Sequence, residues 1–511
     1  MPDPKGETGG LARTSAQVVV WAGLALVSGF AVDAAMAALF GVGHSTDAFF
    51  IAATIPFALT AVLVASANQA LVPIFNTWHE NDATEVAGAR SGGLIGALLV
   101  LATGVALLGV ALATVLPDLI ASGAAAETRD LSASLIPVLF LMLIPRTAAE
   151  ALRALLNARF SFSVPAASPL ILNGVALVTA VALADSLGIR AVAVGYLAGS
   201  VAQVILLGAV TWRNGVPFRL GFGFSDPEVR SGIKLLGLPT AATGLNLFAR
   251  LFERFLASFL AAGSITIVSY AWRILNAVGG TVFFRSVTVV LIPRLTKFRD
   301  DPDASKRILR TGVRVMLALS FPLMGFLVVF ASPAVGVLFE RGEFSGDNTA
   351  ALGSVLAIYM LTLPFVGVTR ALLTFFYSRL DMVTPFFNRL INTLTNMAFG
   401  AILVVPWGLK GLAAAYVLAT AASFAHAHFA TRRLSIFNRR LAVFGATVLA
   451  VTVVSTAAAA FVYWRLPPAQ STVGRLVTLG IAGVVWLIVV GASFAATSVD
   501  WRPSDIKNPS E

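Results

Sequence analysis

Long apolar runs recur along almost the whole chain, and they restrict its fold more than any other feature. Fourteen runs approach or exceed the roughly 20 residues that a helix needs to cross a bilayer. Hydrophobic residues make up 58% of the 511 residues and charged residues only 12%, about half the usual share of a soluble protein. The sequence therefore predicts an all-α polytopic membrane protein of about 14 transmembrane helices. The runs lie at residues 16–42, 48–76, 92–116, 132–157, 164–185, 190–212, 232–260, 264–293, 309–339, 349–377, 384–406, 411–431, 441–464 and 473–498.

Lysine and arginine are distributed unevenly over the connections between the runs. The connections after even-numbered runs contain most of them, such as Arg432, Arg433, Arg439 and Arg440 after the twelfth run. Because basic connections stay on the cytoplasmic side, we predict a bacterial inner-membrane protein with both termini in the cytoplasm. The same pattern accounts for the net charge of +11 without any binding of nucleic acid.

A polar connection after the sixth run divides the chain. Two halves of six helices are typical of transporters that bind their substrate between repeated lobes. The predicted organisation is an N-terminal tail (1–15), an N-lobe (16–212), a cytoplasmic linker (213–231), a C-lobe (232–431), two further helices (432–498) and a C-terminal tail (499–511).

The chain lacks the residues of several catalytic and metal-binding chemistries. It has no cysteine, four histidines and no Gly-x-x-x-x-Gly-Lys-Ser/Thr motif for ATP. We therefore predict no catalytic residue, no metal site and no cofactor. Transport would then be driven by a proton or monovalent-cation gradient, by the membrane potential, or by consumption of the product.

Charged residues inside the apolar runs are the candidate functional residues, because each costs about 2.5–3.5 kcal/mol at the centre of a membrane helix. In the seventh run, Arg250, Glu253 and Arg254 share one helix face. This face is either an anion-binding surface, which we favour, or part of an ion network between helices.

Further arginines lie in the eighth and tenth runs. Arg273 precedes Asn276 by one turn, Arg285 lies deeper in the same run, and Arg370 lies in the tenth. The planar guanidinium donates two hydrogen bonds to two oxygens of a phosphate. Several arginines with few acids therefore fit a diphosphate, although Arg285 could instead extend to the membrane surface.

Three other runs contain acidic residues. Arg146 and Glu150 in the fourth run are spaced i, i+4, which favours a self-contained ion pair over a gate. Asp33 in the first run is predicted to be a buried acid that pairs with a basic residue or takes up a proton. Asp47 begins the second run, where it is predicted to cap that helix or to act in gating.

Five short blocks follow one another along the chain: DAFF (47–50), QALVP (69–73), LNARF (156–160), LFERGEF (338–344) and FYSR (376–379). In this order they resemble the lipid II flippases of the MurJ/MviN type. That resemblance implies the fold of the multidrug/oligosaccharidyl-lipid/polysaccharide exporter superfamily. Two six-helix lobes would face a cationic cavity with alternating access, and two extra helices would form a groove open to membrane lipids. It also implies a polyprenyl-diphosphate-linked glycan as the substrate and places Arg273 and Arg370 at basic positions of the family.

The sequence departs from the family pattern mainly in the first lobe. Val32, Leu26 and Thr60 stand where the family has arginines, and residues 64–68 lack its acidic residue. Asn276 and its neighbour Trp272 stand where acids can occur in the eighth helix. Because these first-lobe arginines are missing, we expect the diphosphate to be bound by Arg250, Arg254, Arg273 and Arg146.

Several functions remain open from the sequence. The leading prediction is a lipid II flippase, followed by a flippase for an exopolysaccharide or O-antigen unit. A drug/cation antiporter fits less well, because the charges in the membrane are mainly basic. A non-transporting scaffold that recruits cell-wall enzymes would tolerate loss of Arg250, Arg254 and Arg273, whereas a flippase would not.

Overall fold

A computed structural model describes residues 4–219, 221–235, 237–469 and 471–496. In this part of the chain all regular structure is helical, with no strand. Helices satisfy their own backbone hydrogen bonds, which a chain inside a bilayer cannot satisfy with water. The predicted all-α polytopic fold is therefore confirmed.

Contacts divide the chain into two compact units, Met1–Thr266 and Ile267–Glu511. In the first unit α8 packs against both α1 and α10, and α2 packs against α6 and α12. A π-helical segment, Ala67–Leu71, separates α2 from α3. The helices of this unit are α1 (Pro4–Phe40), α2 (His44–Ser66), α3 (Val72–Asn81), α4 (Thr84–Ala111), α5 (Leu116–Ile120), α6 (Ala126–Leu141), α7 (Leu143–Ala158), α8 (Ser163–Ala182), α9 (Ala184–Leu187), α10 (Arg190–Arg213), α11 (Pro227–Leu235) and α12 (Gly237–Ala257).

The second unit begins at Ile267, within the helix that follows α12. Here α15 packs against α18 and α20, and α20 packs against α21. A second π-helical segment, Ala277–Val282, separates α13 from α14. The helices are α13 (Ser264–Asn276), α14 (Phe283–Lys297), α15 (Pro302–Val329), α16 (Ala331–Phe339), α17 (Gly346–Met360), α18 (Leu363–Tyr377), α19 (Val383–Ala430), α20 (Arg439–Arg465) and α21 (Thr472–Ala496).

The helices follow the predicted apolar runs closely. Within the described residues, eleven stretches are long and apolar enough to cross a membrane. One of them is the 48-residue α19, which Gly408 breaks with a φ of 53° between the predicted eleventh and twelfth runs. A positive φ of this kind favours glycine, so α19 consists of two segments at a bend. The predicted seventh and eighth runs correspond to α12 and to α13–α14, which fall outside the eleven.

The division by contacts differs from the predicted lobes at one place. The sequence assigns residues from 232 onward to the C-lobe, whereas α12 and the start of α13 lie in the first unit. The reason is that α12 packs against α2. The lobe boundaries themselves stay a prediction.

The two π-helical segments occupy equivalent places in the predicted halves. Ala67–Leu71 interrupts the second run and Ala277–Val282 interrupts the eighth, which is the second run of the other half. π-helical turns are concentrated at functional sites. Helices interrupted at corresponding positions of two transporter halves indicate the substrate-binding region.

The linker between the predicted lobes lies on a glycine-rich face of α4. The backbone N–H of Arg219 donates to the carbonyl oxygen of Gly88 at 3.2 Å. A methyl group on Gly96 would overlap the carbonyl oxygen of Gly221, and one on Gly93 would lie 3.0 Å from the Cα of Gly223. Only glycine allows this close approach of two backbones.

Candidate functional site

A buried carboxylate joins two distant helix starts in the first unit. One oxygen of Asp47, near the start of α2, accepts hydrogen bonds from the backbone N–H of Thr266 at 2.8 Å and from its hydroxyl at 2.6 Å. The other oxygen accepts from the backbone N–H of Gly263 at 2.6 Å. Asp47 is 5% exposed, so these three bonds are shielded from water. We call Asp47, Gly263 and Thr266 the Asp47 clamp.

A second contact reinforces the clamp. The hydroxyl of Ser258, just after α12, accepts a hydrogen bond from the backbone N–H of Gly123 at 3.1 Å. Gly263 has a φ of +90°, and a side chain there would run into Val42. The α12–α13 turn is therefore fixed at both ends against the turns that precede α2 and α6.

The predicted capping role of Asp47 needs a correction. At the start of α2 the hydroxyl of Thr46 accepts the N–H of Gly43 at 3.1 Å, and Asp47 makes no capping hydrogen bond to its own helix in the described structure. Asp47 lies four residues after Gly43, and its carboxylate binds the first N–H groups of α13 instead. It caps a helix, as its type suggests, but a helix 219 residues away.

The charged face predicted for the seventh run lies on α12, beside this clamp. Glu253 is buried, Arg254 is half-buried and Arg250 is exposed. The guanidinium of Arg254 lies 5.9 Å from the centre of the Phe50 ring, within electrostatic range of Glu253, Arg250 and Asp47. Two arginines with two carboxylates are balanced, so this geometry favours an ion network over an anion-binding face.

The predicted pair of Arg146 and Glu150 is present on α7 and extends further. Glu150 is 2% exposed, 3.4 Å from Arg146 and 2.9 Å from Arg153. Arg146 also donates to the side-chain oxygen of Gln203 at 2.8 Å, and Gln203 donates to Ser168 at 3.0 Å. Two guanidiniums share one carboxylate, which leaves this network with one net positive charge.

This network borders an apolar cavity. The cavity has a volume of ≈ 360 Å³ and is lined by residues of α2, α4 and α7 together with Leu71 and Ile233. Thr147 and Glu150 are its only polar lining residues in the described chain. An apolar space with one charged wall can accept hydrocarbon but offers few hydrogen bonds to a sugar.

Asp33 is buried in α1, as predicted, with an exposure of 1%. Its burial agrees with the cost of placing an ionised carboxylate among membrane helices. Its role in ion pairing or proton uptake stays a prediction.

In the second unit, Arg370 on α18 is a half-buried cation. It donates to the carbonyl oxygen of Gly279, inside a π-helical segment, at 3.2 Å, and lies 5.8 Å from the centre of the Phe284 ring. Arg389 and Tyr416 lie within electrostatic range. In the described part of the chain, no carboxylate lies within ion-pair distance of Arg370.

Arg273 and Asn276 lie on α13, next to the same π-helical segment. Arg273 is half-buried, whereas Asn276 is exposed and donates to the carbonyl oxygen of Trp272 in its own helix at 2.8 Å. The ring of Trp272 packs against Tyr416 and Tyr359, with centroids 4.6 and 5.7 Å apart. This bond stays within α13, so it does not join Asn276 to another helix.

Some residues of this region were missed by sequence reasoning. Gln203 and Arg389 lie in predicted apolar runs, and polarity alone could have identified them. Thr266 and Gly263 carry no comparable signal, because their role depends on a fold contact. The side chain of Arg285, predicted to contact phosphate or the membrane surface, lies outside the described residues.

Comparisons with known proteins agree with this architecture. Residues 36–486 match the family described as lipid II flippase MurJ. The chain is 28% identical to a probable lipid II flippase MurJ of Vibrio cholerae serotype O1 over 492 residues, covering 91% of this chain and 93% of that protein. It is 30% identical to a protein of the same description from Rhizobium meliloti over 412 residues, covering 76% and 75%.

Solved structures show the same fold. A lipid II flippase MurJ in an inward closed conformation superposes with a TM-score of 0.76 at 20% identity, covering 94% of this chain and 99% of that one. An inward-facing multidrug resistance MATE family transporter of the MOP superfamily superposes with a TM-score of 0.65 at 14% identity, covering 80% and 94%.

Proposed function

Because the chain belongs to the MurJ family of lipid II flippases, we propose that it moves lipid II from the cytoplasmic to the outer leaflet. It is then a transporter and not an enzyme. The relatives with full-length similarity are described as lipid II flippases, which does not favour the exopolysaccharide, antiporter or scaffold alternatives.

We base the assignment of a phosphate-binding site on the environment of Arg370. It is a half-buried guanidinium in a membrane helix, and no described carboxylate pairs with it. A cation in this position is stabilised by an anion that arrives with the substrate. Lipid II supplies that anion as a diphosphate, which matches the fork of donors on arginine.

Arg273 and the π-helical segment belong to the same proposal. Arg273 precedes Ala277–Val282 by one turn, and Arg370 donates into that segment at Gly279. Irregular backbone leaves carbonyl and N–H groups off the helical ladder, where a polar headgroup can use them. We therefore assign Arg273 and Arg370 to the diphosphate and the rings beside Trp272 to the sugar.

The Asp47 clamp is proposed to be a gate on the outer side. Asp47 lies at the end of the first predicted connection and Gly263 lies in the seventh, and both odd-numbered connections are predicted to face outward. The clamp holds these two turns together through three buried hydrogen bonds. Opening toward the outer leaflet requires these bonds to break.

We also propose which residue couples transport to an ion gradient and which proteins use the transported lipid. Asp33 is the buried carboxylate that we assign to proton or monovalent-cation coupling. Cytoplasmic termini agree with the basic even-numbered connections. Cell-wall synthesis enzymes that consume lipid II are the expected partners on the outer side.

The proposal is tested by depleting the protein in its own host and measuring lipid-linked intermediates by mass spectrometry. Lipid II should accumulate, and wild-type protein supplied in trans should remove it. Accumulation of a different polyprenyl-diphosphate glycan would move the assignment to polysaccharide export. No accumulation of either, with normal growth restored by Arg370→Gln protein, would support a scaffold.

A further inference from the structure

Three arginines in the second unit lie close together where the start of α20 packs against the N-terminal half of α15. Arg310 and Arg314 are one turn apart on α15, and Arg440 lies in the first turn of α20. Both Arg314 and Arg440 are near enough to Arg310 to act on it electrostatically. We call these three residues the arginine cluster.

The cluster is held in place by the surrounding chain. Arg310 donates to the carbonyl oxygens of Ser435 at 3.0 Å and Ile436 at 3.1 Å, so it is anchored to the turn before α20. Arg314 lies 5.8 Å from the centre of the Phe444 ring. The Nε of Arg314 is buried and has no hydrogen-bond acceptor among the described residues.

Within the described residues, the charge of the cluster is not balanced by an acidic partner. None of the three arginines forms an ion pair in the part of the chain that the structure describes. Like charges at this separation repel one another, and a buried guanidinium nitrogen without an acceptor loses hydration without recovering it. An external anion with several oxygens would offset both costs.

The position of the cluster identifies the source of that anion. The connections that precede α15 and α20 are both even-numbered and predicted to be cytoplasmic. Val443, one turn into α20, is 59% exposed, and Val453 and Val454 further along the same helix are exposed as well. A lipid bound here would have its headgroup beside the arginines and its acyl chains along the apolar side chains of α20.

We propose that the arginine cluster binds the phosphate of an anionic phospholipid in the cytoplasmic leaflet. Basic residues next to a membrane helix attract such lipids, and the bidentate geometry of arginine suits a phosphodiester. The site is separate from the residues assigned to lipid II, so it can be present or absent whatever the transported substrate is.

The test measures binding of phosphatidylglycerol to the purified full-length protein in phosphatidylcholine nanodiscs, by native mass spectrometry. The double variant Arg314→Gln/Arg440→Gln removes two charges but keeps Arg310, which supports the turn. Arg433→Gln/Arg439→Gln is the matched control, because it removes two exposed charges, one from the turn before α20 and one from its first residue. Thermal unfolding in phosphatidylcholine alone checks that both variants are folded.

We expect the double variant to bind phosphatidylglycerol at least tenfold more weakly than wild type, and the control to change by less than twofold. Equal losses in the two variants would reduce the site to general surface charge and overturn the proposal. So would equal binding of phosphatidylglycerol and phosphatidylcholine by the wild type. Displacement of the lipid by millimolar inorganic phosphate would mean that free phosphate is the ligand, and would overturn the lipid assignment.

Discussion

The carboxylate of Asp47 accepts hydrogen bonds from both the backbone N–H and the hydroxyl of Thr266, 219 residues later in the chain. Hydrogen bonds to an ionised acceptor are roughly twice as strong as neutral ones, and these are shielded from water. They join the start of α2 to the start of α13. A single side chain therefore links two turns that are both predicted to lie on the outer side.

Replacing Asp47 by Asn should loosen this clamp. The amide is isosteric, but it is neutral and one of its terminal atoms cannot accept, so we expect a loss of about 2–3 kcal/mol from the closed arrangement. The chain has no cysteine, so Ala48→Cys gives a single thiol beside the clamp in a position that is 0% exposed. A membrane-impermeant maleimide added outside should label it at least tenfold faster in the Asp47→Asn background.

The control for this measurement is Asp118→Asn. Asp118 is 61% exposed on its side chain and pairs with Arg129 at 2.6 Å, also in a connection predicted to face outward. An exposed ion pair contributes at most about 1 kcal/mol, so labelling of Cys at position 48 should not change. Equal labelling rates in wild-type and Asp47→Asn backgrounds would show that the clamp is not a gate.

Removing Glu150 should destabilise the first unit strongly. Arg146 and Arg153 share this carboxylate, which is 3% exposed on its side chain. Loss of one partner of a buried pair leaves uncompensated charge and costs about 3–5 kcal/mol. Glu150→Ala should lower the free energy of unfolding in detergent by that amount, whereas Asp118→Ala should lower it by less than about 1 kcal/mol. Similar effects of the two substitutions would contradict the buried network.

The sequence predicts most of the fold because the bilayer imposes a simple rule on it. Apolar runs of sufficient length must be helices, and the ends of α8, α10, α20 and α21 lie within a few residues of the predicted runs. The π-helical segments were not predicted, because the residues of 67–71 and 277–282 do not by themselves specify an i to i+5 hydrogen-bond pattern. Such irregular turns depend on packing rather than on local propensity.

The candidate site was predictable to a different degree. Intramembrane charges identify Arg146, Glu150 and Arg370 as special, and i, i+4 spacing predicts the first two as a pair. Spacing cannot show which carboxylate a residue meets across the fold. The predicted capping role of Asp47 was therefore placed at the start of α2 instead of the start of α13. The sequence also could not show that Asp47 lies near Arg254.

Arg370 provides the sharpest test of the phosphate assignment. Arg370→Gln removes a charge-assisted hydrogen bond worth about 1.5–3 kcal/mol, so lipid II transport should fall roughly 10–100-fold. Arg370→Lys should retain part of the activity, because lysine keeps the charge but lacks the fork. Transport is measured from the lipid II that accumulates when each variant is the only copy. Arg190→Gln, an exposed arginine bonded to Ser134, should behave as wild type. Normal transport by Arg370→Gln at equal expression would contradict the assignment.

Glu340 should make the stability of the second unit depend on acid pH. Burial alone would raise the pKa of Glu340, but hydrogen bonds from Arg475, at 2.7 Å, and from Thr349 hold the pKa below its ordinary value. A carboxyl with a lowered pKa in the folded state stabilises it above the unfolded pKa, and this contribution is lost as the pH falls through the folded pKa.

The stabilisation from Glu340 is therefore full at pH 7 and should disappear between about pH 5 and pH 3. Glu340→Gln should lower the Tm at pH 7 by an amount equivalent to less than about 1 kcal/mol, because the pair is partly exposed. The difference from wild type should shrink toward zero in acid. Glu343→Gln, in the same loop, serves as the control. A difference that stays constant from pH 7 to pH 3 would rule out this ion pair as its source.

The close approach of α4 and the linker predicts opposite outcomes for two glycines on one helix. A methyl group on Gly96 would overlap the carbonyl oxygen of Gly221, whereas Gly104, two turns later, has nothing within 4 Å of an added Cβ. Gly96→Ala should push the linker away and cost about 1–3 kcal/mol, while Gly104→Ala should be neutral or stabilising by up to about 1 kcal/mol. Thermal unfolding measures both effects, and trypsin cleavage after the exposed Arg219 should be faster only in Gly96→Ala protein. Equal cleavage rates would show that the linker does not depend on this face of α4.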